Sequence, residues 1–146
     1  MLSVIVILPI LLWAGYTDFK SRIISNKVSI VLLIIGITEI IFFPPYIPIS
    51  IKERLLVSLL FLLVFVLLYI FRPNISGGGD LKLFSSVGFC IGINLFPVLF
   101  FACIIGIIYA LIKWRKGESF LKIQLPMASC VAAGSIIFII LSYVLK

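Results

Sequence analysis

The chain has 146 residues, 64% of them hydrophobic and 12% charged, with a mean hydropathy of +1.38. A soluble domain of this size could not hide that much apolar surface in one core, so the chain reads as an integral membrane protein, with room for about six spans of roughly 20 residues each. The net charge of +7 does not indicate nucleic-acid binding: the cations stand singly at the ends of apolar runs, where they mark cytoplasmic loops and meet anionic lipid headgroups.

The first apolar run, Leu2 to about Tyr16, has no basic residue before it and no small-residue cleavage pattern after it, so it reads as a retained helix. Asp18, Lys20, Arg22 and Lys27 follow as a polar loop, in which Ser25 or Asn26 can cap the next helix. The second run, about Val28 to Phe43, is stopped by Pro44, Pro45 and Pro48. A third begins at Lys52, Glu53 and Arg54 and ends near Phe71, before Arg72-Pro73 and the stretch Ser-Gly-Gly-Gly-Asp-Leu-Lys-Leu from Ser76 to Leu83.

Leu81 to Ile112 is apolar throughout but interrupted around Gly92, Asn94 and Pro97, which divides it into a short helix, about Asp80 to Ile93, and a longer one, about Leu95 to Ile112. At 1.5 Å per residue the short helix covers about 20 Å, less than the hydrocarbon thickness of about 30 Å, so a protein cavity rather than lipid must solvate Asp80. Lys113, Arg115, Lys116 and Lys122 form the most basic loop, and a last run, about Ile123 to Leu145, completes one all-α, polytopic membrane domain over residues 1–146. With the N-terminus outside, nine basic residues lie in inner loops against three outside, the orientation that the positive-inside rule favours. Asp18 and Asp80, the two aspartates of the chain, then share the cytoplasmic face.

The chain contains no histidine. This excludes Ser-His and Cys-His nucleophiles, H-E-x-x-H metal sites and histidine proton relays, and leaves acid-base chemistry to Asp18, Asp80, Glu39, Glu53, Glu118 or a perturbed lysine, tyrosine or cysteine. Cys90, Cys103 and Cys130 form no C-x-x-C pair and read as three buried helical thiols, so neither a disulfide framework nor a zinc site is expected. No metal or other cofactor is indicated.

Each aspartate has a plain structural reading, Asp18 as a solvated loop carboxylate and Asp80 as a first-turn helix residue favoured by the dipole. Their shared face is the stronger signal. The glycines could be only a flexible turn, but they also let another backbone approach closely. They are not a phosphate cradle, since no Gly-Lys-Ser/Thr follows. Glu39 lies roughly 18 Å along its helix from Lys27 and is assigned to the outer interface. Glu53 and Glu118 read as solvated, and Lys82, two residues past Asp80, as an inner-surface anchor rather than its partner.

Gly77-Gly78-Gly79-Asp80 followed by Leu81-Lys82-Leu83 resembles the G-x-G-D-[VIL]-K motif of type IV prepilin peptidases, membrane aspartic proteases that process pilin-like precursors. The stretch from Asp18 to Asn26 resembles that family's first-aspartate motif, with Ser25 where proline is usual. Leu125-Pro126 through Gly134 is similar to its last helix, with Ser129 where a second proline is common.

The resemblance implies that Asp18 and Asp80 are the catalytic pair, and that Gly77, Gly78, Gly79, Lys82, Asn26 and Pro126 belong to the motif and substrate loop. It also implies a prepilin or pseudopilin substrate, a basic leader ahead of a hydrophobic helix, cut at the cytoplasmic membrane face after a small residue. Larger members carry paired C-x-x-C motifs and methylate the new N-terminus with S-adenosylmethionine. Without that region the chain looks like a short, peptidase-only form. Helix dipoles place the resting proton on Asp18, at a helix C-terminus, rather than on Asp80, at an N-terminus. Two rival readings are a small proton- or cation-coupled transporter subunit using the same aspartates, and a structural subunit of a secretion machine.

Overall fold

The computed structural model describes residues 2–21, 24–42, 49–71, 78–115 and 125–145. Regular structure among them is helical: α1 (Leu2–Ser21), α2 (Asn26–Phe42), α3 (Ile51–Phe71), α4 (Gly78–Ile91), a 3₁₀ turn (Gly92–Asn94), α5 (Leu95–Arg115) and α6 (Met127–Val144). Three stretches, Leu2–Ser21, Gly78–Trp114 and Met127–Val144, are long and apolar enough to cross a membrane.

The helix ends follow local chemistry. Ser25 Oγ accepts the Lys27 N–H at 3.3 Å and starts α2, and Ser50 Oγ does the same for Lys52 at the start of α3. Gly92 takes φ +54, a left-handed conformation natural only to glycine, and this breaks the long apolar run into α4 and α5. Pro97 falls in the first turn of α5, where its missing N–H leaves no hydrogen bond unmade.

Two ends differ from expectation. The first helix continues past Tyr16 to Ser21, because Thr17 and Ser21 turn their hydroxyls onto the Ala14 and Thr17 carbonyls instead of opening a loop. Asp18 is therefore helical. The last helix starts at Met127 rather than near Ile123, directly after Pro126.

In this bundle α6 packs between α1 and α5, and α4 lies against α2 and α3. Most of α4 is buried, from Leu83 through Gly88 and at Cys90 and Ile91, so it is the central element. Apolar residues do not tell the faces of α1 apart, since Ile5, Val6, Leu12 and Trp13 face outward. Its inner stripe is Val4, Ile7, Leu11, Ala14, Gly15 and Asp18, at helical spacing. Close contacts flank α6 on both sides: a Cβ on Gly15 of α1 would lie 3.0 Å from Ser129 Cα, and one on Gly134 of α6 would lie 2.6 Å from the Val98 carbonyl oxygen of α5. Cys90 and Cys130 are buried as expected, whereas Cys103 is exposed on α5, where an apolar environment accepts a thiol without a partner.

Candidate active site

Asp18 ends the inner stripe of α1 and is only 6% exposed. Its Oδ2 accepts the backbone N–H of Ala128 at 2.9 Å. Ala128 is the second residue of α6, and its N-cap, Pro126, has no side-chain cap. The first N–H groups of a helix have no partner within it, so Asp18 serves as the cap for a helix 110 residues further along the chain. One residue on, Ser129 Oγ donates to the Gly15 carbonyl at 2.7 Å. These two bonds fix the last turn of α1 against the first turn of α6.

Asp80 lies in the first turn of α4 and is half-buried. Gly78, Gly79, Asp80 and Lys82 form a polar start to the helix, at the very beginning of the Gly78–Trp114 apolar stretch. The charge of Asp18 acts on Asp80. The two carboxylates thus share one end of the bundle and act on each other through their charges.

Of the other residues singled out in the sequence, Gly77 lies outside the described residues. Gly78 is open, and a Cβ there would meet nothing within 4 Å, whereas on Gly79 a Cβ would approach Ile24 Cβ to 3.1 Å. Gly79 is small because the segment between α1 and α2 passes directly against it. Lys82 is exposed and donates to Asn26 Oδ1 at 3.0 Å, joining the starts of α4 and α2 on a different side of α4 from Asp80. Pro126 stands at the head of α6, so the structure places it beside the site as the residue before the helix that contacts Asp18.

Glu39 is corrected. Instead of lying at the outer interface, it is buried and paired with Arg54, Oε2 to Nη2 at 3.1 Å. Arg54 is itself 1% exposed, not a loop cation, and also reaches Ser3 Oγ at 3.4 Å and the Phe89 carbonyl at 3.5 Å. The pair sits at the opposite end of α2 and α4 from the aspartates and ties α1 through α4 together there. The acid that a transporter would offer within the span is thus already occupied by an internal cation.

An apolar groove of about 420 Å³ runs between α3 and α5 over α4 and α6. Phe84, one turn past Asp80, lies in it with Phe65 stacked on it at 5.1 Å. Met127, adjacent to Ala128, lines the same groove. Among the described residues no group of three or more His, Cys, Asp or Glu could hold a metal ion.

The sequence is 29% identical over 143 residues to the prepilin leader peptidase/N-methyltransferase of Bacillus subtilis (strain 168), covering 91% of this chain and 53% of that protein. The chain therefore spans about half the length of the curated relative it matches. No solved structure matches it. The family match covers residues 5–111, taking in both aspartates and ending before α6. By that match, the chain belongs to the type IV leader peptidase family.

Proposed function

We propose that the chain is a membrane aspartic endopeptidase that removes the basic leader from prepilin-like precursors, with Asp18 and Asp80 as its catalytic pair. The observation that carries this reading is the pairing itself: Asp18, at the end of α1, and Asp80, at the start of α4, stand at one end of the bundle and interact through their charges. Two carboxylates in one site titrate as a unit and share a proton.

In the reactive form of the pair the shared proton is on one carboxylate, assigned here to Asp80, and the other is the base. Asp18 takes a proton from a water molecule as the water oxygen bonds to the scissile carbonyl carbon, and Asp80 hydrogen-bonds the carbonyl oxygen as negative charge develops on it. When the tetrahedral intermediate collapses, the C–N bond breaks and Asp18 returns its proton to the leaving amine. No covalent enzyme intermediate forms. The Ala128 N–H keeps Asp18 oriented throughout.

The hydrophobic helix of the precursor lies in the groove lined by Phe65, Phe84 and Met127, which leads its first residues to the aspartates. A basic inner face repels a basic leader, so apolar packing supplies most of the binding. The six helices span the plasma membrane with the N-terminus outside, and the cut is made on the cytoplasmic side. With Arg54 internal, the distribution is nine basic residues inside against Lys52 and Lys146 outside, which supports this orientation. We extend the reading to leader cleavage and not to methyl transfer.

The test is co-expression with a prepilin-like substrate, followed by gel shift, comparing wild type, Asp18→Asn and Asp80→Asn at equal membrane abundance. Loss of processing in both variants is expected. Full processing by either removes the aspartic-protease reading.

A further inference from the structure

A second groove, of about 480 Å³, opens between α2 and α3 over another face of α4. Lys82 lines it, two residues and about 200° round the helix from Asp80. The groove is therefore separate from the aspartate pair, and the cleavage mechanism makes no use of it.

Its charged group stands at one end. Asn26 and Lys82 stand at the starts of α2 and α4, while Ile30, Leu33 and Leu62, with Ser58 one turn further, form the wall beyond. Leu33 is about 10 Å beyond Asn26 on the helix axis. Among the described residues lining the groove Lys82 is the one charged group. Its ammonium group has three donors and gives one to Asn26 Oδ1, so it can still bind an anion. A ligand matching this lining is anionic at one end and apolar beyond it.

The serines add an independent observation. Ser21, Ser86, Ser135 and Ser142 each donate to the carbonyl four residues back, as helical serines in apolar surroundings do. Ser29 and Ser85 do not. Both line this groove, one from α2 and one from α4, both are more than nine-tenths buried, and neither Oγ has a partner. Buried hydroxyls left unpaired are costly, and both residues border the groove, where a ligand can supply an acceptor.

We propose that this groove binds one anionic phospholipid. Its phosphate rests on Lys82 and the Asn26 amide, its ester oxygens accept from Ser29 and Ser85, and an acyl chain follows Ile30, Leu33 and Leu62. The lipid fills the gap between α2 and α3, which otherwise meet chiefly through α4, and so braces α4 on the side away from Asp18.

The full chain, purified in detergent, is titrated with phosphatidylglycerol or with phosphatidylcholine of the same acyl chains, and retained lipid is counted by native mass spectrometry. Wild type is expected to retain one phosphatidylglycerol in preference to phosphatidylcholine. Lys82→Gln should weaken phosphatidylglycerol about fivefold, the effect of one cation at an anionic headgroup, and leave phosphatidylcholine unchanged. Leu33→Trp, which blocks the apolar wall, should weaken both lipids, and it serves as the test if Lys82→Gln melts early in detergent.

Equal retention of the two lipids by wild type overturns the proposal, as does unchanged phosphatidylglycerol affinity in both variants. Displacement by inorganic phosphate alone would mean a free-phosphate site, and displacement by an apolar prepilin helix a peptide groove. Either result replaces the lipid. None of these readouts depends on proteolysis, so they stand apart from the fate of the peptidase reading.

Discussion

Asp18 Oδ2 accepts the Ala128 N–H at 2.9 Å, so one carboxylate both caps α6 and acts through its charge on Asp80. The two roles separate by substitution. Asp18→Asn keeps an acceptor for the amide, whereas Asp18→Ala leaves it unpaired in a buried position at a cost of about 1–3 kcal/mol. Both variants should lose at least about a hundredfold in cleavage rate, while in thermal melting only Asp18→Ala should fall clearly below wild type.

The pair gives cleavage its pH dependence. Two carboxylates that share one proton titrate as a unit, so kcat/KM for precursor cleavage should fall on both an acid and an alkaline limb, and a profile with a single ionisation counts against a coupled pair.

The Arg54–Glu39 pair is a strong determinant of stability at the far end. Removing one partner strands a buried charge, so Arg54→Met or Glu39→Leu should each destabilise by about 3–5 kcal/mol. The double variant Arg54→Met with Glu39→Leu should lose less than the sum, measured by chemical denaturation in detergent. A double-mutant coupling near zero would mean that the pair is solvated after all.

Gly134 lets α6 approach α5 closely. A Cβ there would lie 2.6 Å from the Val98 carbonyl oxygen and 2.8 Å from the Ala102 nitrogen, both backbone atoms that cannot swing aside. Gly134→Ala should therefore destabilise by about 1–3 kcal/mol. Because the same helix carries Ala128, cleavage should weaken as well. Gly106→Ala, whose nearest side chains would be 3.8 Å or more away, is the control and should be close to neutral.

Much of this is readable in the residues. Apolar runs and prolines place the helices within a few residues, and the interruption at Gly92 marks the turn between α4 and α5. Gly79 and Asp80 stand out because they close a run of three consecutive glycines followed by one of the two aspartates. The depth of Asp18 is harder to read. On a soluble helix its spacing from Val4, Ile7, Leu11 and Ala14 would show an inner stripe, but here every face is apolar and the stripe is hidden. Ala128 contributes a backbone amide, which no residue type announces. Arg54 looks solvated beside Lys52 and Glu53, and only the packing of four helices reveals its partner.

The contact between Asp18 and Ala128 also has a consequence in time. A ribosome adds roughly 5–20 residues per second, so the 110 residues between them take roughly 5–20 seconds to synthesise. During that interval α1 is in place but its carboxylate has no amide to accept from. The pair therefore acquires its final geometry only with the arrival of the last helix, so a nascent chain cannot hold Asp18 in that geometry before α6 is made.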